Sequence, residues 1–167
     1  MSQRNSIRAA VVDDARAINL IYNRFIRESP ATFETEEYSD AERQVWIQKR
    51  LGNPKHSIFV AETSGQLIGF ANASPFDSRE GYSTSVKTSV FVDAAGQGKG
   101  NASRLYEVLF DVLSETDCHR AYALIVSPNP ASVALHQRFG FEHVSTLNEV
   151  GRKFGQYHDV MWFEKKL

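Results

Sequence analysis

Cysteine is nearly missing from this chain. Cys118 is the only one in 167 residues, so no disulfide forms within the chain, and the usage fits a reducing compartment. A lone cysteine without a nucleophile signature is expected to be a small buried residue. Long apolar runs are missing too. The longest, such as residues 121–126 (Ala-Tyr-Ala-Leu-Ile-Val), is far too short to span a bilayer. Residues 1–6 (Met-Ser-Gln-Arg-Asn-Ser) hold no apolar secretion core, so the expected location is the cytoplasm. Charge of one sign is also lacking. Nineteen Lys and Arg face twenty Asp and Glu, with no basic block for nucleic acid and no basic amphipathic helix for a membrane surface. His56, His119, His143 and His158 have no ligand-like spacing, so no metal is expected. Repeats, low-complexity tracts and linkers are absent, and the length suits one domain over residues 1–167.

What is present is an alternation of strand and helix patterns. Residues 6–11 read as a first strand, and Asp13 or Asp14 is placed to cap a helix with an apolar face of Ile18, Ile21, Tyr22 and Phe25. Ser39 and Glu42 form a capping box before a second helix carrying Val45, Trp46 and Leu51, stopped at Gly52-Asn53-Pro54. Residues 57–62 and 66–71 flank Ser64-Gly65 as a hairpin. A polar loop over residues 77–81 leads to the strand Val86-Lys87-Thr88-Ser89-Val90-Phe91-Val92. A helix from Ser103, a strand over 119–126, a helix over 131–139 and two strands around 141–150 and 157–165 complete the chain. Strands and helices in this order predict an α/β (α+β) fold, a mixed sheet with helices packed on it.

The segment Ala95-Gly96-Gln97-Gly98-Lys99-Gly100-Asn101-Ala102 stands between that strand and the helix. Alternate glycines admit a ligand close to bare backbone, and a helix start offers unpaired N–H groups and a positive dipole end. The combination suits phosphate. A dinucleotide fingerprint needs its third glycine where Asn101 stands, and a mononucleotide P-loop needs Ser or Thr where Gly100 follows Lys99, so neither pattern fits. Further on, Asn129 is placed to cap a helix, Pro130 takes its first position and Gly140 stops it.

Strand, Gly-x-Gly-x-Gly, helix resembles the pyrophosphate loop of the GNAT acyl-CoA N-acetyltransferases. Their usual pattern is Arg or Gln, two residues, Gly, one residue, then Gly or Ala; here Ala95 fills the first place, Gly98 the fourth and Gly100 the sixth. Ala95 departs from the pattern and weakens a side-chain contact while leaving the backbone cradle. Residues 129–141 (Asn-Pro-Ala-Ser-Val-Ala-Leu-His-Gln-Arg-Phe-Gly-Phe) are similar to the family's Asn-x-x-Ser-x-x-Leu-x-x-x-x-Gly-Phe segment. The resemblance implies the GNAT acyl-CoA N-acyltransferase fold, a central mixed, mostly antiparallel sheet flanked by helices. It implies acetyl-CoA as cosubstrate, held by Val90, Phe91, Val92, Gln97, Gly98, Lys99, Gly100, Asn101, Ala102, Asn129 and Ser132.

Further stretches resemble the phosphinothricin and methionine-sulfoximine acetyltransferase branch: Ile21-Tyr22-Asn23, Ala31-Thr32-Phe33-Glu34, Ser74-Pro75-Phe76, Arg79, Tyr82 and Glu149-Val150-Gly151-Arg152-Lys153-Phe154-Gly155. Members acetylate the α-amino group of small amino acids or analogues and usually form homodimers. The likeness implies Phe33, Phe76, Arg79 and Tyr82 as substrate-binding residues. A guanidinium such as that of Arg79 holds a carboxylate through two parallel hydrogen bonds. The likeness implies a reaction by direct attack of a neutral amine on the thioester. Such a reaction needs the thioester held, a proton removed and the oxyanion stabilised.

The proton acceptor is the open point. Where the branch carries glutamate, this chain has Lys87, and a lysine is a poor base near neutral pH unless burial lowers its pKa. Either Lys87 is perturbed, or His136 or Glu149 takes the proton through water, or transfer is slow or directed at another substrate. Lys87 could also pair with an acidic substrate group. His136 matches the branch's histidine, at the place of a tyrosine acid in many GNAT members, and shares a helix face with Ser132. These residues set two readings apart. One is a small-amine N-acetyltransferase. The other is a dimeric acyl-CoA-binding module with little catalysis. A peptide or protein N-terminal acetyltransferase shares the fold, but the small-substrate segments argue against it.

Overall fold

The computed structural model describes residues 6–167; residues 1–5, most of the stretch read for a secretion signal, lie outside the described residues. Strand β1 is Ser6–Ala9 and helix α1 is Ala15–Glu28. A 3-10 turn, Val12–Asp14, joins them, so β1 stops two residues short of the expected Val11. Asp14 does not cap α1 with its side chain. Its carboxylate instead accepts from the Val11 N–H at 2.8 Å and from the Arg8 guanidinium at 2.7 and 2.8 Å. The turn points the carboxylate back toward β1, and the ion pair takes it.

Helix α2, Asp40–Gln48, opens with the expected capping box: Ser39 Oγ accepts from the Glu42 N–H, and the Glu42 carboxylate accepts from the Ser39 N–H at 2.8 Å. Its inward side chains are Arg43 and Ile47, while Val45 and Leu51 are exposed and Leu51 lies past the helix. The Arg43 guanidinium lies 4.8–4.9 Å from the ring centres of Tyr22, Tyr38 and Trp46 and donates to Asn19 Oδ1 at 2.8 Å. Aromatic faces and one amide thus replace the carboxylate partner a buried cation usually has.

Strands β2, Ile58–Thr63, and β3, Gln66–Pro75, form the expected hairpin. Ser64 and Gly65 both hold positive φ, 53° and 76°, the twist a two-residue turn needs. Then come β4, Ser85–Val92; α3, Asn101–Ser114; β5, Arg120–Val126; α4, Pro130–Arg138; β6, Glu142–Lys153; and β7, Gln156–Lys166. The seven strands make one sheet in the order β1-β2-β3-β4-β5-β7-β6. Every neighbour pair is antiparallel except β4 with β5.

The period of two along each strand divides the core. Ile58, Val60 and Phe70 face Ile18, Ile21 and Ile47 of α1 and α2. Phe59, Ala61, Ala71 and Ala73 belong to the core built on Leu105, Leu109 and Leu113 of α3, with Cys118 buried in it as expected. Those three leucines are fully buried and contribute about 1.5–3 kcal/mol each in transfer free energy. On β4 the alternation sends Val86 into the α3 core and Phe91 against Tyr22 and Phe25 of α1. Lys87 and Ser89 therefore share the α1 face, and Thr88 shares the α3 face.

Candidate functional site

The parallel ladder between β4 and β5 is only three pairs long: Ser85 with Arg120, Val86 with Ala121 and Lys87 with Tyr122. Beyond Lys87 the strands part. The backbone N–H and C=O groups on the parting edges lose their sheet partners there, and such groups need others. A cleft of about 460 Å³ opens between them, lined by residues 88–92 of β4 and Leu124, Ile125 and Val126 of β5. It continues to Gly96, Gln97, Gly98 and residues 100–103 on one side, and to Asn129, Ser132 and His136 of the α4 segment on the other.

The loop end of this cleft has the geometry that suits an anion. Gly98 and Gly100 hold φ of 69° and 75°, which a side chain rarely adopts, and a Cβ at either would meet nothing within 4 Å. Gly100 caps α3 with no side-chain bond. The N–H groups of Gly98, Lys99, Gly100, Ala102 and Ser103 find no backbone acceptor among the described residues. Unpaired amides at a helix N-terminus form an anion site. Asn101, 2% exposed, holds this loop by donating from Nδ2 to the Gly96 carbonyl at 2.8 Å. Gln97 Nε2 folds back onto the Val92 carbonyl at 3.2 Å. Lys99 turns its ammonium onto the Ala95 carbonyl at 2.8 Å and does not line the cleft.

At the other wall Asn129 Oδ1 accepts from the Ser132 N–H at 3.1 Å, the cap expected for α4. His136 is 4% exposed and both ring nitrogens are engaged. Nδ1 lies 2.7 Å from the Ser132 carbonyl oxygen, and Nε2 lies 3.0 Å from the Tyr106 hydroxyl. A carbonyl only accepts, so Nδ1 carries the hydrogen; Nε2 of the neutral ring then accepts from Tyr106. Burial pushes the His136 pKa below the ordinary imidazole value, and it pushes that of Tyr106 up. The pair is therefore neutral around pH 7.

The residues expected to bind the amine lie outside this cleft, on the α1 face of the sheet. Phe76 packs on Tyr82, Tyr122 and Trp162 at 5.3, 4.8 and 6.1 Å between ring centres. Arg79 lies 5.0 Å over Tyr82 and pairs with Asp77 at 2.8 Å. Lys87 shares this face beside Tyr122, its register partner. Phe33 sits apart from that group, against Gly151, where a Cβ would come within 2.2–2.6 Å of the ring. Lys153 Nζ donates to the carbonyls of Ser29 and Thr32 at 2.8 and 2.6 Å, tying the loop of Phe33 to β6. Glu149 stands on a bulge of β6 with positive φ, exposed, its N–H donating to Asp159 Oδ1 at 2.7 Å. It does not line the cleft.

Sequence reading missed Thr88 and Tyr106 on the α3 face, and Tyr122, Leu124 and Trp162. For Tyr122 and Leu124 a signal existed: they alternate with the buried Ala121, Ala123 and Ile125 along β5. Among the described residues no group of three or more His, Cys, Asp or Glu is placed to hold a metal ion, and no helix is long and apolar enough to cross a membrane.

Comparison with known proteins agrees with this architecture. Residues 7–162 match the family model described as Acetyltransferase (GNAT) domain. The chain is 44% identical to a phosphinothricin N-acetyltransferase of Streptomyces coelicolor, covering 96% of this chain and 95% of that protein. It is 31% identical to an L-methionine sulfoximine/L-methionine sulfone acetyltransferase of Pseudomonas paraeruginosa, covering 97% and 94%. The crystal structure of a phosphinothricin acetyltransferase from Sinorhizobium meliloti in complex with acetyl-CoA superposes with a TM-score of 0.92, at 29% identity over 98% of this chain and 88% of that one.

Proposed function

This chain belongs to the GNAT acetyltransferase family, and from that premise we propose that it moves the acetyl group of acetyl-CoA to the α-amino group of a small amino acid or analogue, of the phosphinothricin or methionine sulfoximine type. One observation carries the reading: the fork between β4 and β5 runs into the loop where the N–H groups of Gly98, Lys99, Gly100, Ala102 and Ser103 find no backbone acceptor among the described residues. A ligand anionic at one end and slender at the other fits that shape.

In this reading the amides of Gly98, Lys99, Gly100, Ala102 and Ser103 hold the diphosphate, aided by the positive end of α3. Asn101 and Gln97 keep the loop in shape with their side chains. The free edge of β4 at Val90, Phe91 and Val92 pairs with the pantetheine amides, and Asn129 and Ser132 line the opposite side. The thioester, when bound, supplies an activated acyl carbon. An N–H on the parted β4 edge stabilises the developing oxyanion at that carbon.

The acceptor approaches from the α1 face. Phe76 and Tyr82 wall it, with Phe33 farther off against Gly151, and Arg79 and Lys87 attract a substrate carboxylate or other acidic group. Lys87 thereby serves the substrate in place of a basic glutamate. His136 acts from inside the cleft as a neutral acceptor for Tyr106 and not by direct contact with the amine, since both its nitrogens are held. Glu149 is the carboxylate available on β6 to take the amine's proton through water. The protein works as a homodimer.

The reading is tested by incubating purified protein with acetyl-CoA and a panel of amino acids and analogues while free thiol is followed. Thiol release above hydrolysis is expected with small α-amino acids carrying a second acidic or sulfoximine-like group. No release with any amine, in a protein that binds acetyl-CoA, would instead favour the acyl-CoA-binding module.

A further inference from the structure

Four buried side-chain polar atoms among the described residues have no hydrogen-bond partner: Arg43 Nη2, Arg50 Nε, Trp162 Nε1 and Thr88 Oγ1. Only Thr88 belongs to the cleft wall. It is 4% exposed, and it is the first residue of β4 past the last ladder pair, Lys87 with Tyr122. It therefore marks the apex of the fork. A hydroxyl left unpaired in the interior is costly unless something meets it there.

The neighbouring groups are already committed. The Tyr106 hydroxyl gives its hydrogen to His136 Nε2, and the Nδ1 hydrogen of that ring goes to the Ser132 carbonyl. Thr88 acts on Tyr106 in the direction opposite to burial, lowering its pKa, but Thr88 Oγ1 has no hydrogen-bond partner of good geometry. Tyr106 and His136 thus have no hydrogen to offer a ligand. Among the described residues the Thr88 hydroxyl is the buried side-chain donor of the cleft wall that has no hydrogen-bond partner.

The anion site lies at the loop end of the cleft, so a ligand anchored there by its phosphates brings its far end to Thr88. We propose that the Thr88 hydroxyl donates a hydrogen bond to the sulfur of the acyl-CoA thioester, strengthening as that sulfur becomes a thiolate. The proposal rests on the acyl-CoA reading given above. The bookkeeping is simple: the amine nitrogen bonds to the acyl carbon, the carbon–sulfur bond breaks, and its electron pair stays on sulfur. The Thr88 hydrogen stays on its own oxygen and the surplus proton of the nitrogen passes through water to Glu149. A donor that grips sulfur best when it is charged acts on the transition state more than on the ground state.

Thr88→Val keeps the shape and removes the donor; Thr88→Ser keeps the donor. The first readout needs no amine. The thiol of bound coenzyme A is titrated by its thiolate absorbance in complexes of the wild type and both variants. Its apparent pKa is expected to rise by about one unit in Thr88→Val and to stay near the wild type in Thr88→Ser, the shift expected for one lost hydrogen bond to a charged group. The second is a kcat about tenfold lower in Thr88→Val with KM for acetyl-CoA within about twofold, the signature of a contact made in the transition state. Identical thiol titration in wild type and Thr88→Val overturns the assignment, as does a Thr88→Ser protein that behaves like Thr88→Val. If no amine is acetylated but the thiol titration shifts as stated, the amine reading fails and Thr88 stands. If coenzyme A does not bind the wild type, both fall.

Discussion

A neutral imidazole with both nitrogens engaged and 4% exposure resists taking up a proton. In the unfolded chain a histidine titrates near 6.5, whereas burial sets the folded His136 lower. The unfolded form thus binds a proton that the folded form refuses. The contribution to stability is complete above about pH 6.5 and is lost as the pH falls below it. His56 is pushed in the same direction by burial, with Arg50 and Lys55 adding to it. The urea midpoint is therefore expected to fall between pH 7.5 and 5.5, and His136→Gln to flatten part of that fall. An unchanged pH slope in the variant would contradict a neutral His136. The sequence placed His136 beside Ser132 on one helix face, because i and i+4 are neighbours on any helix. Tyr106, thirty positions away, had no such local link to it.

Helix ends were the elements most open to reading. Ser39 and Glu42 close on each other over three residues, and Asn129, Pro130 and Gly140 bracket α4 by the same short-range logic. Removing the cap in Ser39→Ala is expected to cost about 1 kcal/mol, seen as a melting temperature lower by about 2–4 °C for a chain of this size. CoA affinity should not change, because α2 does not reach the cleft. The start of α1 escaped the same logic. Two adjacent aspartates offered a cap, but a 3-10 turn and the Arg8 ion pair claimed Asp14. The glycine loop shows the reverse case. Its positive φ values were legible from glycine alone, while its shape depends on Asn101 reaching back to Gly96.

Across the whole molecule, helices cover the sheet unevenly. In the cores α1 and α2 pack on β2 and β3, and α3 packs behind β2, β3, β4 and β5. Strand β6 lies at the sheet edge and is exposed from Glu142 through Val150, with Val144, Leu147 and Val150 on its surface. Exposed apolar side chains grouped along an open edge are a liability for a lone chain. A second copy seated there would bury them, in keeping with the proposed homodimer. Sedimentation is expected to give twice the chain mass, and Leu147→Glu with Val150→Glu to give a folded species of single mass. A monomeric wild type would remove the homodimer from the proposal. The same long-range packing brings Ala31-Thr32-Phe33-Glu34 onto Gly151 and Lys153. The sequence marked both segments but could not say that they touch.

By itself the sequence determined the strand–glycine loop–helix unit, the caps of α2 and α4, the Ser64-Gly65 hairpin and the alternation that sorts each strand's two faces. Those features depend on residues within a turn or a pleat of one another, where sterics and hydrogen-bond reach leave few options. Only the tertiary structure decided where β4 parts from β5, which hydrogen His136 carries, that Thr88 is left with an unspent donor and that Lys87 faces α1 rather than the cleft wall. Each of these depends on which distant chain segment arrives to pack or to bond, and chain order alone does not fix that arrival.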